Sequence, residues 1–395
     1  MDRRDFIKRG GAVAGAAAAG AAALVTTGAN AAPQGNTASN AGGANPPKAI
    51  QRPVKIGVGT QRNATTSAQL QEFVRHSVTR WVPSPRTTGG RTYWIPSDLE
   101  PSLELAEQHG LTVDIVTLPL LGSTNIDTER RPAIMLGQSP QRDSDIEDIH
   151  RCIEACAAMG VPGFKYNMSI LGVPSTGEVE LRGGSTTRQF RAADLDPNAP
   201  NTIAGIVTAD SFWERINYFI QRVIPVCDQY KVRAACHPQD PGTPPGGYRG
   251  VLENVLSTPS GMGLFKFLNL YNSPYHGLNL CCGTLAEMLW DVNEIYDILR
   301  ALLKTKRVFN IHMRNIKGHR DDFFETWPDE GDVNHARLVQ ILAEEGYPFA
   351  IDPDHIPDHP DDPGNRQGYA HGYGYIKALI QAVDTLSPPY GAGVT

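Results

Sequence analysis

Eight short apolar runs alternate with longer stretches of helical periodicity, and this alternation restricts the chain to very few folds. The runs are Val54–Val58, Arg80–Val82, Thr112–Thr117, Gly163–Met168, Val232–Cys236, Gly277–Cys281, Arg307–His312 and Phe349–Asp352. Between them, apolar side chains return every three or four residues, as on one face of a helix. Examples are Leu70, Phe73, Val74 and Val78, then Ile146, Ile149, Ile153 and Cys156 ahead of the stop at Gly160, then Phe212, Ile216, Phe219 and Val223. The spacing recurs in Met288, Val292, Ile295, Leu299 and Leu302, in Val333, Ala336, Val339 and Leu342, and in Ile376, Leu379, Ile380 and Val383. Strand, helix, strand in sequence pairs in parallel through a right-handed crossover. Eight such units predict an α/β fold, a closed (β/α)8 TIM barrel, over residues 51–388. Two segments break the rhythm. Residues 170–210, which contain Arg182-Gly183-Gly184-Ser185, and residues 238–262, rich in Pro and Gly, are expected as long loops walling the catalytic mouth.

In such barrels the chemistry sits at the C-terminal ends of the strands. Four of the runs end there in side chains that bind metals: Cys236-His237, Leu280-Cys281, Ile311-His312 and Ile351-Asp352-Pro353-Asp354. Four successive strands ending in this way predict a His–Cys–His–Asp pocket around one divalent ion. Cys282 is a rival for Cys281, because neighbouring side chains of a strand face opposite sides. Imidazole, thiolate and carboxylate together suit Mn, Fe or Zn better than Mg or Ca, which prefer oxygen donors alone. The histidines other than His237, His312 and His355 fall in helical stretches or loops and carry no assignment.

A chain of 395 residues, 41% hydrophobic and 20% charged, can build one large core without disulfide staples. Its six cysteines do not form a disulfide framework, and Cys152 and Cys156, four residues apart on a helix, read as small core side chains. A net charge of −6 without a long basic stripe argues against a nucleic-acid partner. The N-terminus reads as a targeting segment. Arg3-Arg4 precedes a short Ala- and Gly-rich run, Gly11–Val25, and Ala29-Asn30-Ala31 offers a cleavage site, the pattern of a twin-arginine signal over residues 1–31. The run is too short for a stable membrane span. The expected partner at that stage is the twin-arginine translocase, and the expected destination is the periplasm. Residues 32–50 read as a disordered linker and 389–395 as a tail.

Several stretches together resemble the mannonate dehydratase family: Cys236-His237-Pro238-Gln239-Asp240-Pro241, Leu280-Cys281-Cys282-Gly283-Thr284, Ile311-His312-Met313-Arg314-Asn315-Ile316-Lys317, Gly331-Asp332-Val333, Pro353-Asp354-His355 and Gly372-Tyr373-Gly374-Tyr375. Tyr166-Asn167-Met168 is similar to the end of the family's fourth strand. The resemblance implies a xylose-isomerase-like barrel and a hydro-lyase that removes water from a sugar acid to give a 2-keto-3-deoxy acid, usually with Mn. It implies His237, Cys281, His312 and Asp354 as metal ligands and His355 and Tyr373 as proton-transfer groups. Arg314, Asn315, Tyr166 and Asn167 are then expected around the substrate. The chain departs from the family at Gly59-Thr60-Gln61-Arg62, near the first strand, and at Ile356, where Gly is usual. Other expectations compatible with these residues are a metal-dependent sugar isomerase or epimerase, a glycoside-cleaving lyase on the same barrel, and a non-catalytic envelope protein that binds sugars. A homo-oligomer is a further expectation.

Overall fold

The computed structural model describes residues 50–386. The twin-arginine signal, nearly all of the linker and the C-terminal tail lie outside these residues. Ile50, placed in the linker by sequence, is buried in the core.

Eight strands form one parallel sheet. In chain order they are β1 (Gly57–Thr60), β2 (Arg80–Trp81), β3 (Val116–Thr117), β4 (Gly163–Asn167), β7 (Arg233–His237), β8 (His276–Cys281), β9 (Val308–His312) and β12 (Ala350–Asp352). Their spatial order is β2-β1-β12-β9-β8-β7-β4-β3. The two ends of that order meet. Arg80 and Thr112 share a parallel bridge, and the Thr117 amide donates to the Pro83 carbonyl, so the sheet curls round on itself. Each of the eight apolar runs holds one of these strands, displaced by a few residues at most. β2 and β3 are the shortest, two residues each.

Helices coat the outside. The helix Ala209–Tyr230 turns Phe212, Ile216, Phe219 and Val223 inward, and Gln141–Ala158 does the same with Ile146, Ile149, Cys152, Ile153 and Cys156. Gly160, two residues past the latter, takes the left-handed conformation that a helix stop favours (φ +68°). All six cysteines are free and buried. No helix of the described residues is long and apolar enough to cross a membrane.

Two expectations are corrected. The Met288–Leu302 periodicity is not one helix: Cys282–Glu287 ends early, and Asp291 caps a fresh start that leads into Ile295–Lys304. Residues 170–210 are not simply loop. They hold β5 (Gly177–Glu180) and β6 (Thr186–Arg191), joined at Gly183 and Gly184, both with positive φ. A second hairpin, β10 (Asn315–His319) and β11 (Asp322–Thr326), pairs with β6 to make a four-stranded antiparallel sheet, β10-β11-β6-β5. Phe190 packs on Phe323 with ring centroids 5.6 Å apart. This small sheet stands at the C-terminal mouth of the barrel, since β10 leaves directly from the end of β9. Residues 238–262 form another wall. Arg320 of the hairpin turn holds them by donating to the carbonyls of Ser257 and Thr243, and Asn254 donates to the Pro241 carbonyl.

Candidate active site

Strand register sets the geometry of the mouth. β7 ends in His237, β8 in Cys281 and β9 in His312, with Cys281 directly opposite His312. Asp354 lies two residues beyond β12, turned inward by a left-handed backbone (φ +57°), and its amide donates to Asp352 Oδ1 at 3.0 Å. One donor atom from each of His237, Cys281, His312 and Asp354 comes within 4.8 Å of all the others, and all four residues are buried.

The electrostatics prepare these side chains to bind a cation. Burial and Lys165 push the His237 imidazole down to about 4, so it is neutral. Its Nδ1–H donates to the Pro238 carbonyl at 2.6 Å, which leaves the Nε2 lone pair free. His312 Nδ1 is buried without a hydrogen-bond partner, 3.3 Å from Asp354 Oδ1. Burial would raise the Cys281 thiol, but Arg314 and His312 outweigh it and hold the thiol below its ordinary value. The Thr284 amide also donates to Cys281 Sγ at 3.3 Å, as a helix N-terminus does for a thiolate. Cys282 points away, and burial pushes its thiol well up. Asp354 stays ionised, because His312 and His355 overcome the cost of burying it. Two imidazoles, a thiolate and a carboxylate, one of them with an orphaned nitrogen, fit a divalent transition metal.

Behind the donors lies a cluster of buried charges that the sequence reading missed. Arg314 is fully buried and pairs with Asp240 at 2.8 Å, with Glu287 at 3.0 Å and with Glu325. Arg188 of β6 pairs with Glu325 and Asp240. Glu325, from β11, accepts from His355 Nδ1 at 2.9 and 3.0 Å. Burial opposes charge on both partners, yet Asp354 and Glu325 push His355 up to about 9, and Arg314 and His355 hold Glu325 at about 2. The His355 side chain is 44% exposed, so its ring stands at the rim.

A cavity of about 90 Å³ opens over the donors and is lined by His237, His312, Asp354, His355, Asn167 and Lys165, among others. The residues expected around the substrate divide sharply. Asn167 lines the cavity. Tyr166 does not, because strand alternation turns it into the core against Phe219 (ring centroids 5.2 Å). That same alternation brings Lys165 inward, which the sequence reading passed over. Arg314 lies beneath the site as described; a Cβ on Gly283 would sit 2.5 Å from Arg314 Nε, which explains the glycine in Cys281-Cys282-Gly283-Thr284. Asn315 is also absent from the lining. Its amide donates to the carbonyls of Pro328 and Val333, and it packs where a Cβ on Gly331 would fall. Tyr373, expected as a proton carrier, is buried beside β1 with its hydroxyl 2.7 Å from Thr60 Oγ1, and it does not line the cavity.

Gln61, just past β1, completes the floor. Its carbonyl oxygen accepts from Lys165 Nζ, and its amide nitrogen donates to Asp354 Oδ1. An ammonium can only donate, so Lys165 fixes which way the Gln61 amide faces. Burial lowers the pKa of Lys165, opposed by Asp354, Asp352 and Cys281.

Comparison with known proteins follows the same lines. Residues 203–387 match the family model described as D-mannonate dehydratase (UxuA). The mannonate dehydratase of Geobacillus thermodenitrificans is 33% identical over 315 residues, covering 70% of this chain and 81% of that protein. That of Shouchella clausii is 28% identical over 331 residues, covering 75% and 86%. Among solved structures, the mannonate dehydratase from Streptococcus suis serotype 2 superposes with a TM-score of 0.70 at 22% identity, over 87% of this chain and 98% of that one. A xylose isomerase domain protein from Planctomyces limnophilus shares the fold, with a TM-score of 0.52 at 13% identity.

Proposed function

Because the chain belongs to the mannonate dehydratase family, we propose that it is a metal-dependent hydro-lyase that removes water from a sugar acid such as D-mannonate, giving a 2-keto-3-deoxy acid. The observation that carries the reading is the convergence of His237, Cys281, His312 and Asp354 within 4.8 Å, beside a histidine held by a carboxylate. These four residues would hold the cation, and manganese is the proposed metal, with iron and zinc as the other ions suited to the donor set. Once bound, the cation supplies Lewis-acid stabilisation of the charge that develops when the proton next to a carboxylate leaves.

The chain's own residues do the rest. Glu325 accepts a hydrogen bond from His355 Nδ1–H, which leaves Nε2 as the nitrogen that moves a proton at the mouth. Asn167 offers an amide to a polyol chain. The β6 and β11 hairpins and residues 238–262 wall the mouth and limit the entry of water. Tyr373, sealed against Thr60, supports β1 in this reading.

The test is direct. Manganese-loaded protein incubated with D-mannonate should release a 2-keto-3-deoxy acid 18 mass units lighter, about the mass of one water. Isomerisation with no loss of mass would overturn the dehydratase reading. Export is the proposed fate, supported by Arg3-Arg4 and the small-residue run behind it. A reporter fused to residues 1–31 that stays in the cytoplasm would refute it.

A further inference from the structure

We propose that Lys165 grips the carboxylate of an anionic substrate, an assignment that rests on the sugar-acid reading above. Among the described residues, Lys165 is the only lysine or arginine lining the cavity over the four donors. The other cations nearby are committed elsewhere. Arg314 and Arg188 lie outside the lining and are paired to Asp240 and Glu325, and His355, which also lines the cavity, is ion-paired to Glu325 through Nδ1 and keeps Nε2 for proton transfer. Lys165 is 9% exposed, on the wall of β4, two residues before Asn167 and on the same side of the strand.

Its ammonium has three N–H donors. One serves Gln61 Oε1, its hydrogen-bond partner among the described residues. Asp352 and Asp354 act on it through space. Two donors therefore remain for a ligand inside the cavity. Burying an ammonium is costly without a counter-charge. A carboxylate arriving beside the donor cluster supplies that counter-charge and accepts both free N–H groups. A neutral polyol supplies neither. The site is thus built to separate sugar acids from sugars and sugar alcohols of the same length, because the neutral ligand leaves buried donors unpaired.

The experiment compares two probes of equal chain length on manganese-loaded protein by titration calorimetry: D-gluconate, which carries the carboxylate, and D-glucitol, which does not. Wild type should bind gluconate well ahead of glucitol. Lys165→Met should shrink that preference by about 10- to 100-fold, the usual worth of a hydrogen bond to a charged group. Manganese content by elemental analysis should be unchanged, and Lys165→Arg should restore part of the preference. An undiminished preference in Lys165→Met overturns the proposal, as does equal binding of the two probes by wild type. Loss of manganese from Lys165→Met also overturns it, by making the residue a support of the metal ligands through Gln61. If no sugar acid is dehydrated but the preference still depends on Lys165, the dehydratase reading fails and the carboxylate site stands.

Discussion

The two carboxylate oxygens of Glu325 lie 2.9 and 3.0 Å from His355 Nδ1, and the two residues come from separate layers of the molecule. His355 follows the last barrel strand, while Glu325 sits on β11 of the small antiparallel sheet. The insertion therefore does more than cover the mouth. It delivers the anion that holds Nδ1–H of the histidine at the rim and keeps the ring charged, and Arg188 from the neighbouring strand β6 steadies that anion.

Replacing Glu325 by Gln should lower kcat by about 10- to 100-fold, the loss typical of a removed orienting partner. The Gln amide can present N–H to Nδ1 and so favour the wrong tautomer. Manganese content should be unchanged, which elemental analysis of the purified variant checks. Full activity in Glu325→Gln would remove the orienting role.

His355→Ala should cost about 100-fold or more in kcat, as expected for a proton-transfer group, while metal stays bound. Tyr373→Phe loses the bond to Thr60 Oγ1 and should keep the rate within about threefold, with a loss of stability near 1 kcal/mol. Steady-state kinetics of both variants on the same substrate separate the two roles. A rate collapse in Tyr373→Phe would return that tyrosine to the reaction.

Cys281 and Cys282 are neighbours with opposite fates. Cys281→Ala should weaken manganese binding by more than the roughly 10- to 100-fold expected of a supporting group. Cys282→Ala should leave metal content intact and cost about 1 to 3 kcal/mol of stability through a small packing defect. Competition with a chelator measures the first and urea denaturation the second. Equal metal loss in both variants would contradict the alternation argument.

His312 Nδ1 lies 3.3 Å from Asp354 Oδ1, while Nε2 lies 3.1 Å from the side-chain amide of Asn279. Binding a metal through Nδ1 requires the proton on Nε2, and so an oxygen from Asn279 as its acceptor. Turning over the amides of Asn279 and Asn310 together, 2.8 Å apart, supplies that oxygen and preserves the bond between them. Asn279→Asp should then keep metal affinity, whereas Asn279→Leu should lose about 10- to 100-fold. Metal titrations of the two variants decide; equal affinities would show that Asn279 does not set the tautomer.

His276 opens β8 at the far end of the barrel, fully buried, with Nε2 2.9 Å from the Phe267 carbonyl. Burial pushes its pKa down from 6.5 to about 4. The unfolded chain then takes up a proton near pH 6.5 that the folded chain refuses until about pH 4. The stabilising effect is whole above pH 6.5 and is lost as the pH falls towards 4. Between pH 7 and pH 5 the loss amounts to about 2 kcal/mol. Urea midpoints at the two pH values should converge in His276→Leu relative to wild type; an unchanged pH dependence would refute the assignment.

The barrel was legible in the sequence because its information is local. Apolar runs of strand length, helical spacing between them and a stop such as Gly160 each depend on residues close in the chain, and the eight runs coincide with the eight strands. The convergence of the candidate donors was legible for the same reason, since a strand that ends in His237, Cys281 or His312 announces which mouth it faces. What lay beyond reach depends on contacts between segments far apart. The side that Lys165 and Tyr166 face is set by the register of β4 against β7, so a motif match placed the wrong member of the pair at the cavity. Glu325 is 30 residues from His355, and Gln61 is 104 residues from Lys165. No periodicity links such pairs; only the closed sheet, with the second sheet folded over its mouth, brings their charges within hydrogen-bonding distance.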